Sequence, residues 1–279
     1  MHDDVYFPYD GKWFQIQVPM LLARFFEKRE YAEQFQNGLM RMGNAAIYRM
    51  MENIEGDEIR GDSNEHKIPF YAGAEVFGIK DLVSDEPMYM TTANNFICCF
   101  YAYKANNIVH IDSEFIQLGI KNKSDKFEEK WKYAVLVDYK SLCKAFENAS
   151  AQLGYKAHML VRYFDFKDQE VANNYNLGIK RFYETRVINK HTPPPLSFAK
   201  GVEYSNQQEY RFVIGDGHNQ EALVNEIRGV VKDEFRNIDI GDISQFSIIC
   251  EAEHIISKHI LMDIKNSRIK FIEREKDST

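Results

Sequence analysis

The chain has 279 residues, 44% of them hydrophobic and 14% aromatic, with a net charge of −7. That composition supports a sizeable folded core and excludes a disordered chain. The negative balance excludes nucleic-acid attraction through a global positive field.

Residues 1–19 are aromatic and irregular, punctuated by Pro8 and Pro19, and read as an arm or first strand. Met20 to Phe26 is an apolar run carrying one charge, Arg24. Glu30 to Gln36 has helical composition and stops at Asn37-Gly38, a good C-terminal cap pair. Leu39 to Met42 reads as a strand and Ala45 to Glu52 as a short helix or turn. Glu55 to His66 is polar, holds Arg60-Gly61-Asp62 and is expected to be an ordered loop. Phe70 to Leu82 and Met88 to Thr92 alternate like a hairpin, and Phe96 to Phe100 is apolar throughout, as in a strand buried on both faces. Lys121, Lys123, Lys126, Lys130 and Lys132 are interleaved with Asp125, Glu128 and Glu129, which suits a solvated helix face.

Lys130 to Asp138 gives a strand, Tyr139 to Leu153 a helix ending at Gly154, Met159 to Phe164 a strand and Asn173 to Asn189 a helix. Pro193-Pro194-Pro195 marks a loop. Beyond it, Tyr210 to Ile214 alternates β-branched and aromatic residues and reads as a strand. Gln220 to Val231 reads as a helix, Ile238 to Ile243 as a turn after a short strand, Phe246 to Cys250 as a strand, Glu251 to Asp263 as a helix and Ile269 to Ile272 as a strand. Strands and helices mix without strict alternation, so the expected class is α+β in one domain spanning 1–279, with 1–19 as an N-terminal arm and 216–279 as a C-terminal α/β extension.

The four cysteines, Cys98, Cys99, Cys143 and Cys250, contain no C-x-x-C, and neither zinc nor a disulfide framework is expected. His254 and His259 are five apart and off one helix face, so no metal is expected. Met1-His2-Asp3-Asp4 lacks the basic and apolar regions of a signal peptide, and no run approaches the ~18 apolar residues that span a bilayer; the expectation is a cytoplasmic protein with no membrane partner.

The segment most suggestive of chemistry is Gln207-Gln208-Glu209, where the Tyr210–Ile214 strand begins. Residues two apart on a strand share a face, so Gln207 and Glu209 are expected to project together from a strand mouth, with Tyr210 and Phe212 in the core. A carboxylate and a carboxamide side by side suit a ribose hydroxyl and an incoming nucleophile. In order along the chain, Arg24, the Glu30–Met42 unit, Arg60-Gly61-Asp62, Cys99-Phe100-Tyr101 and Gln207-Gln208-Glu209-Tyr210-Arg211 resemble a group of bacterial and phage proteins distantly similar to ADP-ribosyltransferases, with their Gln/Glu-x-Glu signature.

The resemblance covers roughly residues 20 to 215. It implies split mixed sheets around an NAD cleft with peripheral helices, NAD as substrate and no metal. Glu209 and Gln207 would be catalytic, with Arg24, Phe25, Tyr48, Arg60, Tyr101 and Tyr103 holding NAD. Glu209 would stabilise the charge that develops as nicotinamide leaves, Gln207 would orient the nucleophile, and Arg24 would clamp a phosphate or ribose. Where arginine-specific transferases carry Ser-Thr-Ser, this chain has Cys99-Phe100-Tyr101, which points to a tyrosine-lined nicotinamide pocket. The acceptor implied is a macromolecule, protein or nucleic-acid base, and the context a toxin or phage-defence effector restrained by a cognate antitoxin protein. The alternatives are an NAD glycohydrolase toxin and a non-catalytic protein-interaction module.

Overall fold

In the computed structural model the described residues are 5–9, 12–16, 19–50, 67–70, 88–91, 95–111, 115–119, 131–153, 155–185, 196–215, 234–257, 259–263 and 269–272. Arg60 with its Arg-Gly-Asp loop, most of the lysine cluster, the tri-proline and the Gln220–Val231 helix lie outside them.

Strands β1 (Val5–Tyr9) and β2 (Lys12–Ile16) pair as a hairpin. Strand β3 (Leu21–Phe26) leads through helix α1 (Arg29–Gln36) into β4 (Leu39–Asn44), which is followed by α2 (Ala45–Met50). Helix α1 buries Ala32 and Phe35 three residues apart, the stripe that seats it on the sheet. It ends at Asn37, and Gly38 takes a positive φ of 106°. Strands β5 (Lys67–Phe70) and β6 (Met88–Thr91) pair antiparallel, and all of the Phe70–Leu82 expectation beyond Phe70 lies outside the described residues.

Strand β7 (Asn95–Tyr103) is the backbone of the large sheet. After it come β8 (Ile108–Ile111), β9 (Phe115–Leu118), β10 (Tyr133–Asp138) and helix α3 (Tyr139–Ala149). The Asp138 side chain accepts from the Ser141 N–H at 2.8 Å and caps α3. Strands β11 (Tyr155–Leu160) and β12 (Arg162–Phe164) replace the single Met159–Phe164 strand; the break at Val161 sends them to different sheets. Helix α4 (Gln169–Thr185) starts earlier than its composition suggested, because Asp168 accepts from the Glu170 and Val171 N–H groups. Strands β13 (Ala199–Gly201) and β14 (Glu209–Gly215) flank a 3-10 segment, Val202–Gln207.

The chain closes with β15 (Phe235–Asp239), β16 (Ser247–Glu251), α5 (Ala252–Ser257), β17 (His259–Asp263) and β18 (Ile269–Ile272). The expected helix over Glu251–Asp263 is therefore half strand: His259 to Asp263 pairs with β9 on one side and β18 on the other. From the segment after 216, β15 pairs with β4 and β16 with β10 inside the large sheet.

The class is α+β. The large sheet runs β11-β14-β7-β3-β10-β16, with β4 beside β7 and β15 beside β4, and every one of these pairings is antiparallel. The expectation of mixed sheets is corrected on this point: among the described residues only the short β12·β13 pair is parallel. The large sheet forks along one edge of β7. Tyr101 and Tyr103 face β3, whereas Phe96 and Ile97 face β4. One side of the sheet carries the main core, with Phe35, Phe96, Phe100, Phe146 and Phe212 under α1 and α3. The other side packs Leu21, Ala23, Tyr103 and Leu136 against the second sheet, β18-β17-β9-β8.

Candidate functional site

The Gln-x-Glu segment is not one strand. Gln207 ends the Val202–Gln207 3-10 turn, Gln208 adopts a left-handed conformation (φ 45°, ψ 48°), and only Glu209 begins β14. A left-handed glutamine costs ~1–2 kcal/mol and interrupts the extended backbone between the two motif residues. The same-face argument therefore does not apply to Gln207 and Glu209. They still meet, through Lys200. Its Nζ donates to Gln207 Oε1 at 2.8 Å and lies 3.5 Å from Glu209 Oε2.

Strand alternation does hold from Glu209 onward. Tyr210 and Phe212 enter the main core, and Glu209 and Arg211 share the opposite face. Arg211 Nε and Nη2 donate to Glu209 Oε2 at 3.1 and 2.8 Å, and Arg211 Nη1 donates to the Ser197 carbonyl at 2.9 Å. Arg211 is fully buried, and Glu209 keeps 14% of its side-chain surface. The Arg211 and Lys200 contacts converge on Oε2. Burial pushes the Glu209 carboxyl up, but the charges of Arg211 and Lys200, with hydrogen bonds from Arg211 and Cys99, outweigh it and hold the group below the usual carboxylate range.

Tyr163 and Lys200 are register partners across β12 and β13, and both turn toward Glu209. The Tyr163 hydroxyl accepts the Glu209 N–H at 2.9 Å. Burial, with the Glu209 charge, drives this phenol well above its ordinary pKa, so it stays protonated. The backbone here is held on both sides: Ala102 N–H donates to Gln208 O, and Val161 N–H to Glu209 O, each at 2.9 Å.

Tyr101 lies directly across from Glu209 in the β14·β7 register. It is half-buried, accepts from Asn107 Nδ2 at 3.2 Å and meets Tyr103 edge-to-face at 5.1 Å. Tyr103 has no exposed surface and belongs to the core against the second sheet, so no ligand can stack on it as the structure stands. Phe25 packs in that same cluster. Tyr48 lies over Gly43 and packs with Cys99 on Ile97, Phe198 and Val213.

Arg24 does not join them. Ala23 pairs with Tyr101, and Tyr101 with Glu209, so these three share a face and Arg24 points to the other. There its guanidinium lies over Phe26, Phe35 and Phe100 at 5.4, 5.2 and 5.7 Å. Nη2 donates to the Arg41 carbonyl at 2.7 Å, bridging the fork between β3 and β4. The expectation that Arg24 clamps the phosphate or ribose of NAD beside Glu209 is corrected on this geometry.

No family model matches the chain, and no curated protein or solved structure is similar to it.

The residues that surround Glu209 were only partly foreseeable. Arg211 stands two positions along the same strand, a signal available from alternation alone. Cys99 faces Arg211 across β7, which needs the register. Lys200 and Tyr163 carry no local signal, because a parallel pairing between segments 37 residues apart in register brings them in. Among the described residues no cluster of His, Cys, Asp and Glu is arranged to hold a metal, and no helix is long and apolar enough to cross a membrane. A cleft of about 620 Å³ between α3 and the Asp239–Gly241 loop, lined by Ser141, Lys144, Asn148 and Phe246, opens on the Arg24 side of the sheet and not at Glu209.

Proposed function

We propose that the protein is an NAD-dependent ADP-ribosyltransferase acting on a macromolecular acceptor, with Glu209 as its central catalytic group. The observation that carries the reading is a nearly buried carboxylate, kept ionised by Arg211 and Lys200, directly across from the half-buried ring of Tyr101. The reading also draws on the side-by-side placement of the three motif-bearing strands, β3, β7 and β14, in one sheet.

In this reading Glu209, through Oε1, accepts a hydrogen bond from the nicotinamide-ribose 2′-OH. The bond from ribose C1′ to the nicotinamide nitrogen breaks, and its electron pair leaves with nicotinamide. Positive charge gathers at C1′ beside the carboxylate, where a fixed anion in a water-poor site lowers the barrier by ~3 kcal/mol. The acceptor atom forms the new bond to C1′ and releases its proton. Tyr101 packs against the nicotinamide.

A cytoplasmic enzyme that spends NAD on an essential macromolecule is harmful to its host. The reading therefore extends to a toxin or phage-defence effector held in check by a partner protein. Incubation with adenylate-labelled NAD and cell lysate tests it: label passes to protein, RNA or DNA with the wild type and not with Glu209→Gln. Label in free ADP-ribose alone would replace transfer by NAD hydrolysis. No consumption of NAD, or equal consumption by folded Glu209→Gln, overturns the assignment.

A further inference from the structure

We propose that Lys200 is the positioning residue of this site: one buried ammonium ties the Gln207 carbonyl and the Glu209 carboxylate together and leaves the Gln207 NH2 directed toward the incoming group. The inference rests on the transferase reading and adds a division of labour to it.

An ammonium can only donate. The 2.8 Å contact from Lys200 Nζ therefore fixes which end of the Gln207 carboxamide faces it, an assignment usually open to a flip. With the oxygen turned inward, Gln207 presents two N–H donors outward. With its oxygen committed to Lys200, it orients the nucleophile by donating hydrogen bonds and not by accepting one. It recognises a lone pair on the acceptor, beside the atom that attacks C1′.

The tie also has a mechanical basis. Gln207 ends a 3-10 turn and Glu209 begins a strand, with left-handed Gln208 between them. Backbone bonds hold Gln208 and Glu209 to β7 and Val161, but the Gln207 side chain has Lys200 as its anchor. Lys200 is itself held: its side chain is 4% exposed, its Nζ lies 4.7 Å from the Tyr204 ring centroid, and its strand is paired with the one that supplies Tyr163. Burial of an ammonium between an amide oxygen and a carboxylate stabilises one relative placement of the two motif residues and disfavours others.

The test compares Lys200→Met, Lys200→Arg and Gln207→Ala with the wild type. Nicotinamide release and ADP-ribose transfer are followed across pH. Lys200→Met is expected to lower kcat for transfer by up to about a hundredfold, with KM for NAD little changed. Its acid limb should move to higher pH, because Glu209 loses a neighbouring positive charge. Lys200→Arg should restore the limb. Gln207→Ala, which cuts only one end of the tie, should lower transfer more than it lowers nicotinamide release.

An unmoved acid limb in Lys200→Met, or equal loss of transfer and release in Gln207→Ala, overturns the proposal. NMR of the wild type and Lys200→Met, without NAD, separates it from the transferase reading. The Glu209 side-chain carbon should titrate at higher pH in the variant, and the Gln207 amide signals should shift. If those signals stay put the tie is absent, whatever the enzyme does. If they move while wild type and Glu209→Gln alike spare NAD, the tie stands and the transferase reading falls. Should Lys200→Met fail to fold, Gln207→Ala carries the test, through the unequal fall of transfer and nicotinamide release.

Discussion

Arg24 and Arg211 sit on opposite faces of the same sheet and are held in opposite ways. Arg211 is fully buried and spends its guanidinium on a carboxylate and a carbonyl. Arg24 is half-buried and lies among three phenylalanine rings, with one carbonyl partner and a buried Nη1 that has no hydrogen-bond partner. Ring faces attract a cation weakly and without a fixed direction, whereas a carboxylate pairs with it strongly and in one geometry. The Arg211 face can therefore hold a charged group in register for chemistry. The Arg24 face clamps the fork of the sheet.

The sharpest way to break this contrast is Glu209→Gln. On the transferase reading, NAD turnover falls by about 10²–10³-fold, the loss typical of removing one group aimed at developing charge, while circular dichroism stays native. A folded variant with wild-type turnover would leave Glu209 a purely structural partner of Arg211.

Next in size is Arg211→Met, which strands a nearly buried carboxylate. Unfolding in urea should show a loss of about 3–5 kcal/mol at pH 7. The pH dependence has a definite sign. Glu209 is held below its unfolded value of about 4.3, so its contribution is fully present above that pH and is lost as pH falls through the folded value. Below about pH 4 the gap between wild type and Arg211→Met should therefore narrow. A gap constant from about pH 7 to about pH 3 would mean that Arg211 acts through packing alone.

Gly38→Ala probes the turn that links α1 to β4 on the Arg24 side. The glycine has φ 106°, and an added Cβ would lie 2.6 Å from the Gly241 carbonyl oxygen, while Gly38 O accepts from Ile240 N–H at 2.9 Å. Backbone must move on both sides, and a cost of about 1–3 kcal/mol is expected from thermal unfolding. A neutral result would show that the two loops part without consequence.

The smallest effect belongs to Arg24→Met, a change of charge with the stem retained. It should cost about 1–2 kcal/mol of stability through the lost ring contacts and carbonyl bond, and leave KM for NAD where it is. A raised KM with unchanged stability would return Arg24 to the NAD site and dissolve the contrast between the two faces.

Much of this contrast is legible in the amino-acid sequence. The alternation of Tyr210 to Ile214 assigns Tyr210 and Phe212 to the core and, by the same period, puts Glu209 and Arg211 together. Asn37-Gly38 stops α1 because only glycine accepts that φ at no steric cost. The apolar run Phe96–Phe100 is a central strand because a strand covered on both faces needs no polar side. By contrast, Glu251–Asp263 reads as a helix and is half strand, since the partners of Ile260 and Met262 come from Phe115–Leu118 and Ile269–Ile272, far away in the chain.

Local period alone therefore determined which residues share a strand face, and with that the Glu209–Arg211 pair. Which face of the sheet that pair occupies depended on pairings between strands. Register turned Arg24 away from Glu209, the left-handed Gln208 separated Gln207 from the strand that alternation assigned it to, and the parallel β12·β13 contact delivered Lys200 and Tyr163. Alternation is a property of neighbouring residues, but register and burial arise from distant segments competing for the same hydrogen bonds and the same core, and only the folded chain decides that competition.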